Sequence, residues 1–225
     1  MKVLKNSLVT LLLGILAGIA ISIGGIAFLA SPSKAVGAIF FCVGLFMVCA
    51  LNLNLFTGKV TTALDEKPIF ILKLIIIYIG NLLGAVLVGY LLRATRLGTS
   101  LVSSVEAVAT TKINDSFLSI FILGIFCNVL IYLAVYGFKN FENSVFRMMA
   151  LMFGVSVFVL VGFEHCVANM FYFSFANMWS TEAIMCLLAT TLGNIIGGLF
   201  FPIIFKINKT LNKDKNDVQK NLENK

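Results

Sequence analysis

The sequence predicts an all-helical integral membrane protein, with six transmembrane helices in two three-helix halves of opposite orientation. Three observations carry that expectation. Of the 225 residues, 60% are hydrophobic and only 12% are charged, whereas a soluble domain carries about 25% charged residues. So few charges cannot cover a water-exposed surface, which excludes the soluble globular, disordered and fibrous classes. The charges leave long gaps, each able to hold the roughly 20 apolar residues that hydrocarbon about 30 Å thick requires. The chain also matches itself weakly at an offset near 110 residues.

The gaps define the elements in order. No charge separates Lys5 from Lys34, Lys34 from Lys59, Lys73 from Arg93, Asp115 from Lys139, Arg147 from Glu164, or Glu182 from Lys206. Helices are therefore expected at about Ser7–Leu29, Val36–Phe56, Ile69–Leu92, Phe117–Phe138, Val145–Phe163 and Ala183–Phe205. Barrel strands would be about 10 residues of alternating polarity, which these runs are not. Lys2 and Lys5 before an apolar stretch suggest a signal peptide, but the run from Asn6 to Ser33 exceeds such a core, so it reads as a first span. The fifth helix is the weakest, because Glu164 and His165 interrupt it. One transmembrane domain is expected over 1–206, with halves at about 1–92 and 115–206, followed by a polar tail, 207–225, either a frayed helix or disordered.

Six spans put both termini on one side of the membrane. That side would hold 13 of the 17 basic residues, leaving Lys34, Arg93, Arg96 and Lys112 on the other. The positive-inside rule then assigns both termini to the cytoplasm. The net charge of +7 and pI of 9.2 thus describe topology; nucleic-acid binding has no folded basic face to carry it. Cys42, Cys49, Cys127, Cys166 and Cys186 lie in or beside apolar segments without a CxxC or Cys/His spacing, so they read as small hydrophobes, not as a metal or disulfide framework. No cofactor is expected.

The repeat locates the chemistry. Gly14-Ile15 aligns with Gly124-Ile125 and Gly44-Leu45 with Gly154-Val155, while Gly80-Asn81-Leu82-Leu83-Gly84-Ala85 aligns with Gly193-Asn194-Ile195-Ile196-Gly197-Gly198. A three-span repeat crosses an odd number of times, so its second copy is inverted, and inverted repeats place a substrate site near the midplane at interrupted helices. Each half has a polar break: Asn52 and Asn54 lie before Thr57-Gly58-Lys59 in the first, and Glu164-His165 lies before Asn169 in the second. His165 is the only histidine. An ionisable pair at membrane depth is costly and by default functional, and histidine exchanges protons most readily near neutral pH; the bland alternative is an inert pair at the lipid–water interface. Asn81, Asn128 and Asn194 are single amides, and interhelical hydrogen bonding accounts for Asn81 and Asn194. Lys112 is either a solvated loop charge or an attractor of anions at a vestibule.

These motifs resemble the formate/nitrite transporter family. Leu55-Phe56-Thr57-Gly58 resembles its loop after the second span; Gly124-Ile125-Phe126-Cys127-Asn128 with Leu130 and Leu133-Ala134-Val135 resembles its fourth span. Gly162-Phe163-Glu164-His165 with Val167-Ala168-Asn169-Met170 resembles its fifth, and Thr191-Leu192-Gly193-Asn194-Ile195-Ile196-Gly197-Gly198 its sixth. The resemblance implies an aquaporin-like protomer with helices 2 and 5 broken, assembled as a homopentamer in the cell (inner) membrane with one pore per protomer. His165 and Thr57 would form the central site, with Glu164 and Asn169 behind the histidine. Phe41, Leu45 and Phe158 would form an outer constriction, and Leu55, Phe56 and Ile131 an inner one. Lys112 would stand near the outer vestibule, and Asn128 and Asn194 near the pore. Two departures stand out: Lys59 occupies a position where asparagine or a small polar residue is usual, and Asn52/Asn54 replace small residues.

The function so implied is a membrane channel or transporter, not an enzyme, for small monovalent weak-acid anions (formate, nitrite or hydrosulfide), with protonation at the central histidine and passage as the neutral acid. Passage as an anion past a protonated His165 is an open alternative mechanism. An embedded enzyme would need a nucleophile, metal cluster or haem ligands, which one histidine and scattered cysteines do not supply. Water and glycerol channels would show paired Asn-Pro-Ala breaks, absent here. An ammonia channel, a neutral small-solute facilitator, stays open. The expected partners are a small anion, a proton and the lipid bilayer.

Overall fold

The computed structural model describes the backbone of residues 2–223 and the side chains of residues 6–212. Nine helices occur among the described residues: α1 (Lys2–Leu29), α2 (Lys34–Ala50), α3 (Phe56–Val60), α4 (Phe70–Arg93), α5 (Arg96–Ile113), α6 (Phe117–Asn140), α7 (Ser144–Val161), α8 (Cys166–Ala176) and α9 (Thr181–Glu223), with a 3-10 turn at Ala63–Asp65. Five of them, α1, α4, α6, α7 and α9, are long and apolar enough to cross a membrane. The second expected span falls short of that length: α2 ends at Ala50 after 17 residues, where the sequence suggested continuation to Phe56. The fifth expected span ends at Val161, and a further apolar helix, α8, follows it. Helix continues from α9 into the lysine-rich tail.

One element was not expected at all. The segment between Arg93 and Lys112 read as a loop because small polar residues dilute its apolar content. It folds as α5, whose buried positions Leu101, Val105 and Ala109 recur every four residues, the spacing of a single helical face. Thr95, Ser116 and Asn143 start α5, α6 and α7 by accepting backbone N–H groups on their side chains, which satisfies donors that the helix leaves free.

Polarity is inverted relative to a soluble protein. Large apolar side chains such as Ile71, Ile75, Ile79, Leu118, Phe126 and Phe153 are exposed, while Ser22, Asn81, Asn128, His165 and Asn194 are buried. Every residue of α8 is buried, packed among α4, α5 and α1. Around it the two halves use the same contacts. α1 packs on α4 and α2, and α6 packs on α9 and α7. Close crossings rest on matched glycines: a Cβ on Gly80 would sit 3.0 Å from the Gly14 Cα, and one on Gly193 would sit 3.0 Å from the Gly124 Cα.

The breaks match in the same way. Between α2 and α3 the chain turns through Asn52 at φ 52°, and between α7 and α8 through Gly162 at φ 93°. Leu53 N–H donates to Val48 O and Phe163 N–H to Phe158 O, both at 2.9 Å. Asn81 Nδ2 donates to Gly14 O and Asn54 O, and Asn81 Oδ1 accepts from Phe56 N–H at 2.8 Å. Asn194 Nδ2 donates to Gly124 O and Glu164 O, and Asn194 Oδ1 accepts from Cys166 N–H at 2.9 Å. Each asparagine thus ties the connection between two helices to a neighbouring helix. In hydrocarbon no water is present to take over such groups.

Replacing Asn194 by alanine strands two buried backbone groups, Glu164 O and Cys166 N–H, at about 1–3 kcal/mol each. We expect Asn194→Ala to lower the melting temperature in detergent by roughly 10 °C. Leu192→Ala, an exposed change on the same helix, should leave it nearly unchanged.

Candidate functional site

The second break delivers His165 to the centre of the molecule, 2% exposed. It is the N-cap of α8: its Nδ1 accepts the Ala168 N–H at 3.2 Å. The neutral ring therefore carries its proton on Nε2, which faces Thr57 Oγ1 at 3.0 Å. Nε2–H donates to the hydroxyl, and the threonine proton stays available for another acceptor. Thr57 belongs to α3, so the bond joins side chains from the two breaks. Asn128 supports α3 from α6, donating through Nδ2 to Thr57 O at 3.2 Å and to Asn194 O at 2.6 Å.

Glu164, one residue earlier, carries the only ion pair among the described residues. Lys112 Nζ from α5 reaches both carboxylate oxygens at 2.8 Å. Asn169 Nδ2 donates to Glu164 Oε2 at 2.7 Å and to Thr190 Oγ1 at 3.2 Å. Desolvating two such charges costs several kcal/mol each, and the bidentate contact plus the asparagine offset it. The Lys112 ammonium also stands 5.9 Å from the centre of the Tyr172 ring, a cation–π distance.

A cavity of about 230 Å³ leads down to this centre, lined by Phe28, Lys34, Phe41, Lys112, Phe158, Glu164, His165 and Asn169 among others. Two rings narrow it: Phe41 and Phe158 meet edge to face at 5.8 Å, and Phe158 stacks on His165 at 5.7 Å. On the far side of α3 lies a second, smaller cavity of about 40 Å³, lined by Val48, Cys49, Asn52, Leu53, Leu55, Gly58, Lys59, Val135 and Lys139.

Of the residues singled out from sequence, His165, Glu164, Asn169, Lys112, Phe41 and Phe158 share the larger cavity, with Thr57 bonded at its base. Leu55 lines the smaller one. Leu45 and Ile131 are buried without lining either, and Phe56 turns its ring edge-on to Tyr78 of α4 at 4.9 Å. Asn128 and Asn194 sit one layer back, bonded to backbone. Lys34, Tyr172 and Thr111 line the larger cavity without having been picked out. Lys34 was readable as one of the four basic residues outside the main cluster; Tyr172 and Thr111 carried no signal. Among the described residues no group of three or more His, Cys, Asp or Glu is placed to hold a metal ion.

Comparison with known proteins decides the family. A family model described as formate/nitrite transporter matches residues 1–207. The chain belongs to the formate/nitrite transporter family. Its relatives in that family include an uncharacterised transporter, YrhG, of Bacillus subtilis, 34% identical over 187 residues that cover 76% of this chain and 70% of the relative. The formate channel FocA of Haemophilus influenzae is 26% identical over 210 residues, covering 77% and 73%. Among solved structures, a pentameric formate channel with formate bound superposes with a TM-score of 0.77 at 26% identity, covering 92% of this chain and 98% of that one. An ion channel of the same family gives 0.78 at 26% identity, covering 88% of each. This formate/nitrite transporter family member is thus an all-helical membrane protein of the channel and transporter class.

The Lys112–Glu164 pair sets a stability test. Lys112→Met leaves Glu164 buried without its cation and should cost about 3–5 kcal/mol. Adding Glu164→Gln to that variant should recover most of the loss, measured by unfolding of the detergent-purified protein.

Proposed function

We propose that this protein is a channel for small monovalent weak-acid anions, with formate, nitrite and hydrosulfide as candidate substrates, and that the anion is protonated beside His165 and crosses as the neutral acid. The observation that carries the proposal is the cavity that runs past Lys112 and the Phe41–Phe158 pair and ends on the Thr57–His165 hydrogen bond. The pentameric formate channel with formate bound supports formate as a substrate and a homopentamer with one pore per protomer. In the membrane the chain makes six crossings, α2 with α3 and α7 with α8 serving as the two broken helices, with both termini cytoplasmic. The larger cavity then opens outward and the smaller one inward. Phe41, Leu45 and Phe158 form the outer constriction, and Leu55, Phe56 and Ile131 the inner one.

The physical logic is desolvation. A bare anion entering an aromatic constriction loses several kcal/mol or more of hydration, and a proton removes most of that cost. Lys34 and Lys112 attract the anion to the mouth of the cavity. Thr57 O–H donates to it at the base, its own oxygen held by His165 Nε2–H. The ring acts as a fixed donor and not as a proton wire. A proton added at Nδ1 would displace the Ala168 N–H, and handing Nε2–H to the substrate would leave the buried ring as an imidazolate anion. The substrate proton accordingly comes from the external solution, as hydronium that reaches the anion at the mouth of the cavity.

The test is uptake of labelled formate into proteoliposomes at two external pH values. Uptake should rise as external pH falls, and His165→Phe should reduce it to the protein-free background. Unchanged flux and pH dependence in that variant would overturn the role of His165. Thr57→Val, which removes one hydrogen bond to the substrate worth about 1 kcal/mol, should slow uptake several-fold while keeping its pH dependence. Swelling of the same vesicles in ammonium salts separates this function from ammonia conduction.

A further inference from the structure

We propose that Lys59 and Lys139 form a second anion site in the smaller cavity, at the end of the path opposite Lys112, selective for the same small monovalent anions. The inference rests on the anion conduction proposed above and adds a binding site to it.

The smaller cavity is built like the larger one. Seven of its lining residues, Val48, Cys49, Asn52, Leu53, Leu55, Gly58 and Lys59, lie 110 positions before residues that line the larger cavity: Phe158, Val159, Gly162, Phe163, His165, Ala168 and Asn169. Both cavities therefore occupy the same place relative to a helix break. What differs is the charge. In the larger cavity Lys112 is neutralised by Glu164, so the lining lysines Lys34 and Lys112 leave a net charge of one. In the smaller cavity Lys59 replaces the neutral amide of Asn169, Lys139 joins it from the end of α6, and no carboxylate lines the wall.

Lys59 is half-buried on α3, and neither it nor Lys139 is ion-paired among the described residues. Lys139 shares the recess with it and no carboxylate does, so its surroundings remain positive. Two ammonium groups in a recess with apolar walls concentrate field more than they would on an open surface. Asn52, held in the left-handed conformation at the rim, adds an amide donor. The other walls, Val48, Leu53, Leu55 and Val135, admit a small ion and exclude large hydrated ones. A recess of about 40 Å³ has room for one species the size of a few heavy atoms.

Such a site sets the affinity seen from its own side. The experiment measures the half-saturating formate concentration in proteoliposomes, separately for each face, with vesicle orientation read from the accessibility of a C-terminal tag. Lys206 Nζ donates to Leu64 O, which places the end of α9 on the Lys59 side. At about 10 mM ionic strength, where the Debye length is about 30 Å, the double variant Lys59→Asn/Lys139→Gln should raise half-saturation from that side about tenfold. Half-saturation from the Lys112 side should change far less. Lys59→Arg/Lys139→Arg should behave like the parent, which separates charge from folding. In 1 M of a large impermeant salt the difference should collapse.

Equal half-saturation in parent and double variant, with transport intact, overturns the second site and leaves the channel standing. No flux of any of the three anions through the parent overturns the channel itself, and this site with it.

Discussion

Two asparagine side chains hold the fold at its weakest points. A helix end in hydrocarbon exposes backbone N–H and C=O groups that nothing in the lipid can satisfy, and the short connections from α2 to α3 and from α7 to α8 bring such ends together. Asn81 and Asn194 each donate to two carbonyls and accept one N–H. Only an amide side chain offers both donors and an acceptor within one rigid group. The glycines beside them let the crossing helices come close enough for the amide to span break and neighbour together. Without these staples the breaks would close into regular helix or fill with water. Thr57 and His165 would then have no common place to meet.

Much of this was legible from sequence, for a physical reason. Charge is so expensive in the membrane that its absence maps the long helices directly, and the expected limits of the third and fourth spans agree with α4 and α6 within about two residues. The ends of α2 and α7 left a mark too, because Asn52, Asn54, Glu164 and His165 contradict the apolar runs around them. What stayed hidden is what hydropathy does not encode. Helix α5 escaped because Thr99, Ser103, Ser104 and Thr110 make it much less apolar than the spans, although one face is apolar. The length of α2 was overestimated because Leu51, Leu53 and Leu55 keep the break hydrophobic. The roles of the amides follow from crossings 66 to 71 residues apart in sequence, which no local pattern specifies. Resemblance to the family supplied the candidate site residues; spacing alone supplied only the neighbourhood of His165.

The charges that remain are placed with economy. Glu164 meets Lys112 at 2.8 Å and is steadied by Asn169, which in turn leans on Thr190. This chain of contacts fixes the residue next to His165 and ties α5 to the start of α8. A helix that looked like a connecting loop therefore supplies the cation that makes a buried carboxylate tolerable. Lys34, at the first turn of α2, completes the polar part of the same cavity from the other half of the molecule.

The 3.0 Å contact between Thr57 and His165 also joins side chains that have no counterpart in the other half. Leu55 stands 110 residues before His165, so the first break presents a hydrocarbon side chain where the second presents an imidazole. Val167 stands 110 residues after Thr57, so the hydroxyl has no twin either. Each half carries the scaffold and lacks the partner's chemistry. Neither can assemble the pair by itself, and two copies of the same half would face leucine with threonine or histidine with valine. The likeness between the halves has become architectural, and their dissimilarity binds them into one indivisible unit.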